Sequence, residues 1–280
     1  MFSKEYYYLV AGLREWALDS DTKGFDARQI KDEILAELSN SDRKAVEALY
    51  GYYDCENLIA YRSHRERFNP LGNLSEKQIA EVFDTRNYAL LPTAIAQVVK
   101  NYVEAEDEER DEDIVLTDSF EHALFEAYYT MLAGSKSHFL RGWGAFDRNL
   151  RNIAAAVAAR EAGRSVRDVT VGGGDIVEQL SRSSAADFGL RGEVAYIDAV
   201  ISAVNDEQNL VEKEHKIDLI RWEQASELAG FDYFNINAVL AYLIKVNIVA
   251  RWAQLDRKVG AEMFERLLAD LNGKERINKL

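Results

Sequence analysis

The chain has 280 residues, 48% of them hydrophobic, enough to bury a sizeable core. Its formal net charge of -14 excludes a general role on nucleic acid, whose phosphates must be met by a basic surface. A single cysteine, Cys55, rules out an internal disulfide. The opening residues lack the order of a secretory signal, and the longest apolar stretch, 236–250, is interrupted by Lys245, so a cytoplasmic protein that does not span the membrane is expected.

Only two prolines and few alternating apolar runs predict a mostly helical protein. Asp26 is placed to cap a helix over 27–38, where Ile30, Ile34, Leu35 and Leu38 fall at helical spacing. Ser41 is expected to cap the next helix, which carries Val46, Leu49, Tyr50 and Tyr53 and runs on to Arg62. Ser75 with Gln78 fits a capping box, and Pro92 suits the first residue of a helix through Val98, Val99 and Tyr102. Eight carboxylates within 104–113 mark a linker or a solvated helix end.

Asp118 with Glu121 is expected to open a helix through Leu124, Phe125, Tyr128 and Leu132, followed by another over 135–161 that Gly163 ends. Beyond Gly172-Gly173-Gly174, helices are predicted near 175–182, 186–204, 206–229, 236–255 and 258–271. In the fourth of these, Ile236, Val239, Leu240, Leu243, Val246 and Ala250 form one apolar face. The polar stretch 272–280 reads as a loose tail.

Chemical motifs are sparse. The three glycines resemble a phosphate-cradling loop, but the Gly-Lys-Ser/Thr ending is missing and Asp175 would repel phosphate, so they read as a turn. Glu212-Lys213-Glu214-His215 holds one Glu-x-x-His, and helical di-iron sites need two with further carboxylates, so no metal or cofactor is expected. Neither a Gly-x-Ser-x-Gly nor a motif around Cys55 offers a nucleophile, and no enzymatic activity is expected. The clusters Tyr6-Tyr7-Tyr8, Tyr50-Gly51-Tyr52-Tyr53 and Tyr128-Tyr129 are expected to pack in the core, with one or two exposed to a partner.

The residues that stand out are polar ones on apolar helices. Asn247 and Arg251 at the end of the 236–255 helix share a face, as do Asp147 and Arg151. Such pairs either lock neighbouring helices together or line a partner interface. Looser echoes of the Asn and Arg signature occur over 54–62 and 147–160, which suggests one helical unit used three times.

On the opening Tyr6-Tyr7-Tyr8-Leu9-Val10-Ala11-Gly12-Leu13 and the segments 139–160 and 236–256, the chain resembles a family of uncharacterised bacterial proteins (DUF2764-like) found with V-type ATP synthase components. That family looks like a divergent counterpart of the C-type stalk component of V-type ATPases, the d-type component in eukaryotes. Those C-type proteins carry three related helical units, each tending to hold Asp-x-x-Asn-Leu and a later Arg. Asp54-Cys55-Glu56-Asn57-Leu58 with Arg62 follows the pattern; Asp147-Arg148-Asn149-Leu150 is one residue short, with Arg160 much later; the third unit keeps Asn247 and Arg251 but has Ile244 where Asp is expected.

The resemblance implies an all-α, funnel-like arrangement of three related helical units, divided near 1–105, 106–172 and 173–280 within one compact assembly. It implies a non-catalytic adaptor at the cytoplasmic face of the membrane, seating the central stalk on the rotor ring and transmitting torque. Its partners would be rotor-ring and central-stalk subunits, and its membrane association indirect, through the ring. Asp54, Asn57, Arg62, Asp147, Asn152, Arg160, Asn247, Arg251 and Trp252 would fix the units or line the socket. The chain's acidity predicts basic docking surfaces on those partners. The alternative is a free-standing helical scaffold unrelated to a rotary ATPase.

Overall fold

The computed structural model describes residues 5–18, 22, 24–105, 118–205, 210–231 and 233–254, all as helix, turn or loop with no strand among them. Among these residues eleven α-helices follow in order: α1 Tyr7–Gly12, α2 Ala27–Glu37, α3 Asn40–Arg62, α4 Glu76–Asp84, α5 Thr93–Glu104, α6 Phe120–Ala133, α7 His138–Glu161, α8 Asp175–Arg182, α9 Ile197–Val204, α10 Leu210–Ala229 and α11 Ile236–Gln254. The predicted helix at 258–271, the acidic segment beyond residue 105 and the tail lie outside the described residues.

Most helix starts are written in local side-chain chemistry. Asp26 accepts from the amides of Arg28 and Gln29, and Ser75 forms the full capping box with Gln78, as expected. Two caps fall elsewhere than predicted. Ser39, not Ser41, caps α3: Leu38 is buried, which anchors the turn, and the extended Ser39 takes the amide of Asp42 while Ser41 sits inside the first turn. Ser119, not Asp118, caps α6: Ser119 is the extended residue just before the helix, and its side chain accepts from the amide of His122. Pro92 is the residue before α5, not its first, and α7 opens three residues later than 135, behind Ser137.

The largest departure is at 186–204, where only Ile197–Val204 is helical. Phe188 and Gly189 both have left-handed φ, +55° and +72°, which a continuing right-handed helix does not accommodate. Arg160 fixes this turn from α7, donating to the carbonyls of Ser183 and Ala185 and lying 3.7 Å over the Phe188 ring.

Helix α5 packs along α6, and side-chain contacts tie three further antiparallel pairs together. In α2/α3, Arg43 donates to the Leu35 carbonyl and Lys31 lies 4.2 Å over the Tyr50 ring. In α6/α7, Gly144 backs onto Leu132 and Tyr129 bonds Asp147. In α10/α11, Lys245 sits over the Trp222 ring and Arg251 meets Glu214. The pairs follow one another around a circuit: α3 packs on α6, α7 on α10, and the Tyr50 hydroxyl donates to Asn247 at 2.9 Å to tie α3 to α11. One continuous apolar core runs through all of them. Helix α11 is long and apolar enough to cross a membrane by composition, with 56% of its apolar window buried inside the protein, as a core helix is.

Tyr50, Tyr128 and Tyr129 are core residues, whereas Tyr7 and Tyr8 are exposed. Tyr6 is buried as well, so the first cluster is split, and core packing holds for part of the first two clusters and for the third.

Candidate functional site

Each pair carries an asparagine on its long helix, at a different distance from the helix end in each. Asn57, Asn152 and Asn247 lie 95 residues apart, from 57 to 152 and from 152 to 247. Asn57 donates from Nδ2 to the Asn69 carbonyl at 2.9 Å and accepts its amide at 2.7 Å. Asn152 does the same to Val171, at 2.9 and 2.8 Å. A side-chain amide presents one donor and one acceptor side by side, so it can pair a whole peptide group that leaves the helix and returns past it. Both long helices also end alike. His64, at φ +51°, and Gly163, at φ +63°, take the left-handed position, with amides returning from Arg65 to Ala60 and from Arg164 to Ala159.

In the first pair, Asp54 completes the loop. Its carboxylate accepts from the amides of Asn73 and Leu74 and from the Asn73 side chain, at 2.7 to 3.0 Å. Gly72 leaves room for it, since a Cβ there would meet Asp54 Oδ1 at 2.7 Å. Lys31, 5% exposed, donates to the carbonyls of Leu71 and Gly72. Burial lowers the Lys31 pKa from 10.5 to about 8 against the pull of Asp54, and burial raises that of Asp54 despite its donors. Arg62 lies over the rings of Phe120 and Tyr102.

The sequence motif aligns Asp147 with Asp54, and the structure separates them. The residue at the Asp54 step is Asn149, while Asp147 faces the centre of the circuit and begins a chain of charges. Its carboxylate accepts from Tyr129 and Arg151 at 2.8 Å and from Arg221 of α10 at 3.3 Å. Arg221 then meets Asp218 at 2.9 Å. Asp218 receives the Trp252 indole N–H at 2.9 Å and faces Arg251, which reaches on to Glu214. Three arginines thus alternate with three carboxylates across α7, α10 and α11. Burial opposes ionisation of Asp147, but Arg151 and Arg221 outweigh it and hold its pKa below the usual carboxylate value.

Two clefts flank this chain and share Tyr52, Arg151, Arg221 and Arg251 on their walls. The smaller, about 230 Å³, is bounded by α3, α6, α7, α10 and α11 together. The larger, about 500 Å³, opens between α6, α7 and α10.

Of the nine residues marked out from sequence, Asp147, Arg251 and Trp252 meet in the charge chain, and Asn247 stands on the wall of the smaller cleft. Asp54, Asn57, Asn152 and Arg160 hold loops, and Arg62 lies over the Tyr102 and Phe120 rings, away from both the charge chain and the smaller cleft. Sequence reading missed Asp218, Arg221 and Lys31, and weighed Glu214 and Tyr129 only as a metal motif and a core residue; Glu214, Asp218 and Arg221 are spaced by four and three, which puts them on one face of α10. The equal 95-residue step of the asparagines was a signal available in the sequence.

Fold and site together define an all-helical protein, over its described residues, in which the second and third helix pairs are joined by a partly buried arginine-carboxylate chain. The chain belongs to the family described as "Protein of unknown function (DUF2764)", whose model matches residues 3–274. No curated protein and no solved structure matches it.

Proposed function

We propose that the chain is a non-catalytic central-stalk adaptor of a bacterial V/A-type ATP synthase, seating the central stalk on the membrane rotor ring and transmitting torque. The observation that carries this reading is the smaller cleft, to which all three helix pairs contribute. A funnel of three related units around an axial socket accounts for such a cleft. At about 230 Å³ it accepts side chains and not a whole helix, so the stalk would present its tip. The ion pairs joining α7, α10 and α11 resist sliding of one pair past another, which suits a part that bears torque. Docking on a cytoplasmic face through the ring needs no membrane span from this chain.

The test is an affinity pull-down of the tagged chain from gently solubilised membranes of its own cell, at low and moderate salt, with recovered subunits identified by mass. Recovery of ring and central-stalk subunits in fixed ratio is the expected result. A different partner, or none, would overturn it and leave a free-standing helical scaffold as the better reading.

A further inference from the structure

We propose that the larger cleft, beside Arg148, is a binding site for a small multivalent anion carrying phosphate or carboxylate groups. The first two helix pairs differ at one position. In the first, three residues before the clasping Asn57, the Asp54 carboxylate fills the space against the returning loop. In the second, the residue three before Asn152 is Asn149, an amide in place of the carboxylate. Glu126 stands nearby, its Cγ 4.0 Å from where a Gly172 Cβ would lie, but among the described residues Val171 is paired by Asn152 and Glu126 makes no ion pair with Arg148. The neighbouring Arg148 is half-buried, its Nε is sequestered from solvent, and it has neither an ion pair nor a hydrogen bond among the described residues.

Arg148 lines a cleft of about 500 Å³, within the range of small-molecule sites. On a chain with net charge -14, this wall carries Arg148, Arg151, Lys213, Arg221 and Arg251 against Glu121 and Glu214. Glu214, with Asp147 and Asp218 behind the wall, is consumed by Arg151, Arg221 and Arg251. Glu121 is exposed. Arg148 therefore keeps its full donor set, and Lys213 gives one bond to the Val204 carbonyl at 3.0 Å. Gly172 borders the site: a Cβ there would lie 3.5 Å from Arg148 Nη1, and its φ of +76° disfavours any side chain. A planar guanidinium with unspent donors, next to an ammonium, matches the oxygens of a phosphate or carboxylate.

This site stands whether or not the chain joins a rotary ATPase, and its test is separate from the pull-down. Isothermal titration of the full chain with pyrophosphate and with citrate, at low salt, is expected to show saturable one-to-one binding that weakens as salt rises. Arg148→Gln should weaken it at least roughly tenfold, the loss of about one charge-assisted contact, with an unchanged circular dichroism spectrum and melting temperature. Preference for pyrophosphate would identify a phosphate ligand, and preference for citrate a polycarboxylate; either supports the site. Absence of saturable binding by both probes, or wild-type affinity in a folded Arg148→Gln, would overturn it. Should that variant fail to fold, Lys213→Gln must show the same loss for the proposal to hold.

Discussion

Arg221 of α10 and Asp147 of α7 meet at 3.3 Å with their side chains only 12% and 6% exposed, so the second and third helix pairs are joined by a charge contact shielded from water. Such a contact is a poor source of net stability when intact and costly when half of it is removed. Asp147→Ala leaves Arg151 and Arg221 facing an empty site and should cost about 3–5 kcal/mol in urea unfolding. Adding Arg221→Met should recover part of that loss. If the double variant is as unstable as the sum of the single ones, the pair is not coupled as the geometry requires.

Asp147 also sets an acid limit. Its folded pKa lies below the unfolded value of about 3.9, so its contribution is full above that value and is lost as pH falls through the folded one. Asp147→Asn should abolish this part of the acid dependence, read as the difference between the two proteins' stabilities through that range.

Lys31 gives a signature of the same sign in an alkaline window. Its folded pKa is about 8 against 10.5 unfolded, so between these values the unfolded chain binds the proton that the folded chain has released. Its contribution to stability therefore rises with pH across that window. Buried Cys55 and the buried tyrosines, with pKa values raised by burial, act in the other direction in any variant that retains them. The wild-type minus Lys31→Met difference isolates the lysine, and should grow in favour of the wild type from about pH 8 upward, on top of a constant cost of about 1–3 kcal/mol for two orphaned carbonyls.

The asparagine clasps should be separable. Asn57→Ala and Asn152→Ala each orphan one amide and one carbonyl of a returning loop, at about 1–3 kcal/mol apiece. Hydrogen exchange should accelerate at Asn69 in the first variant and at Val171 in the second. Acceleration at both loops in either variant would contradict the independence of the two clasps.

Gly144 marks a close approach of α6 and α7. A Cβ there would lie 2.9 Å from Leu132 Cβ, an atom fixed to the backbone that no rotamer change can move aside. Gly144→Ala should lower stability by about 1–3 kcal/mol, although alanine is the better helix former by about 1 kcal/mol. A thermal melt at or above the wild-type temperature would refute the close packing.

Helix identity was legible because it is a local matter. Asp26, Ser75 and Gly163 act on amides or φ angles within a few residues, and apolar spacing on α11 names its buried face without reference to any neighbour. Even the local errors were small: Ser41 and Ser39 compete for one cap, and a buried Leu38 decides between them.

Partnership across the chain was not legible. Asp54 and Asp147 look alike in sequence, yet one holds its own loop and the other anchors arginines from its own helix and from α10, because the helical phase at 147 turns it toward α10. The stretch 186–196 has helical composition, and Arg160, reaching over from α7, holds it in a left-handed turn instead. The sequence by itself determined the helices, most of their ends and the threefold asparagine step, since these depend on spacing along one stretch of chain. Which polar side chains meet, which stay unpaired and where the clefts open were decided by tertiary packing, because a charge acquires its partner and its burial only when distant helices are brought together.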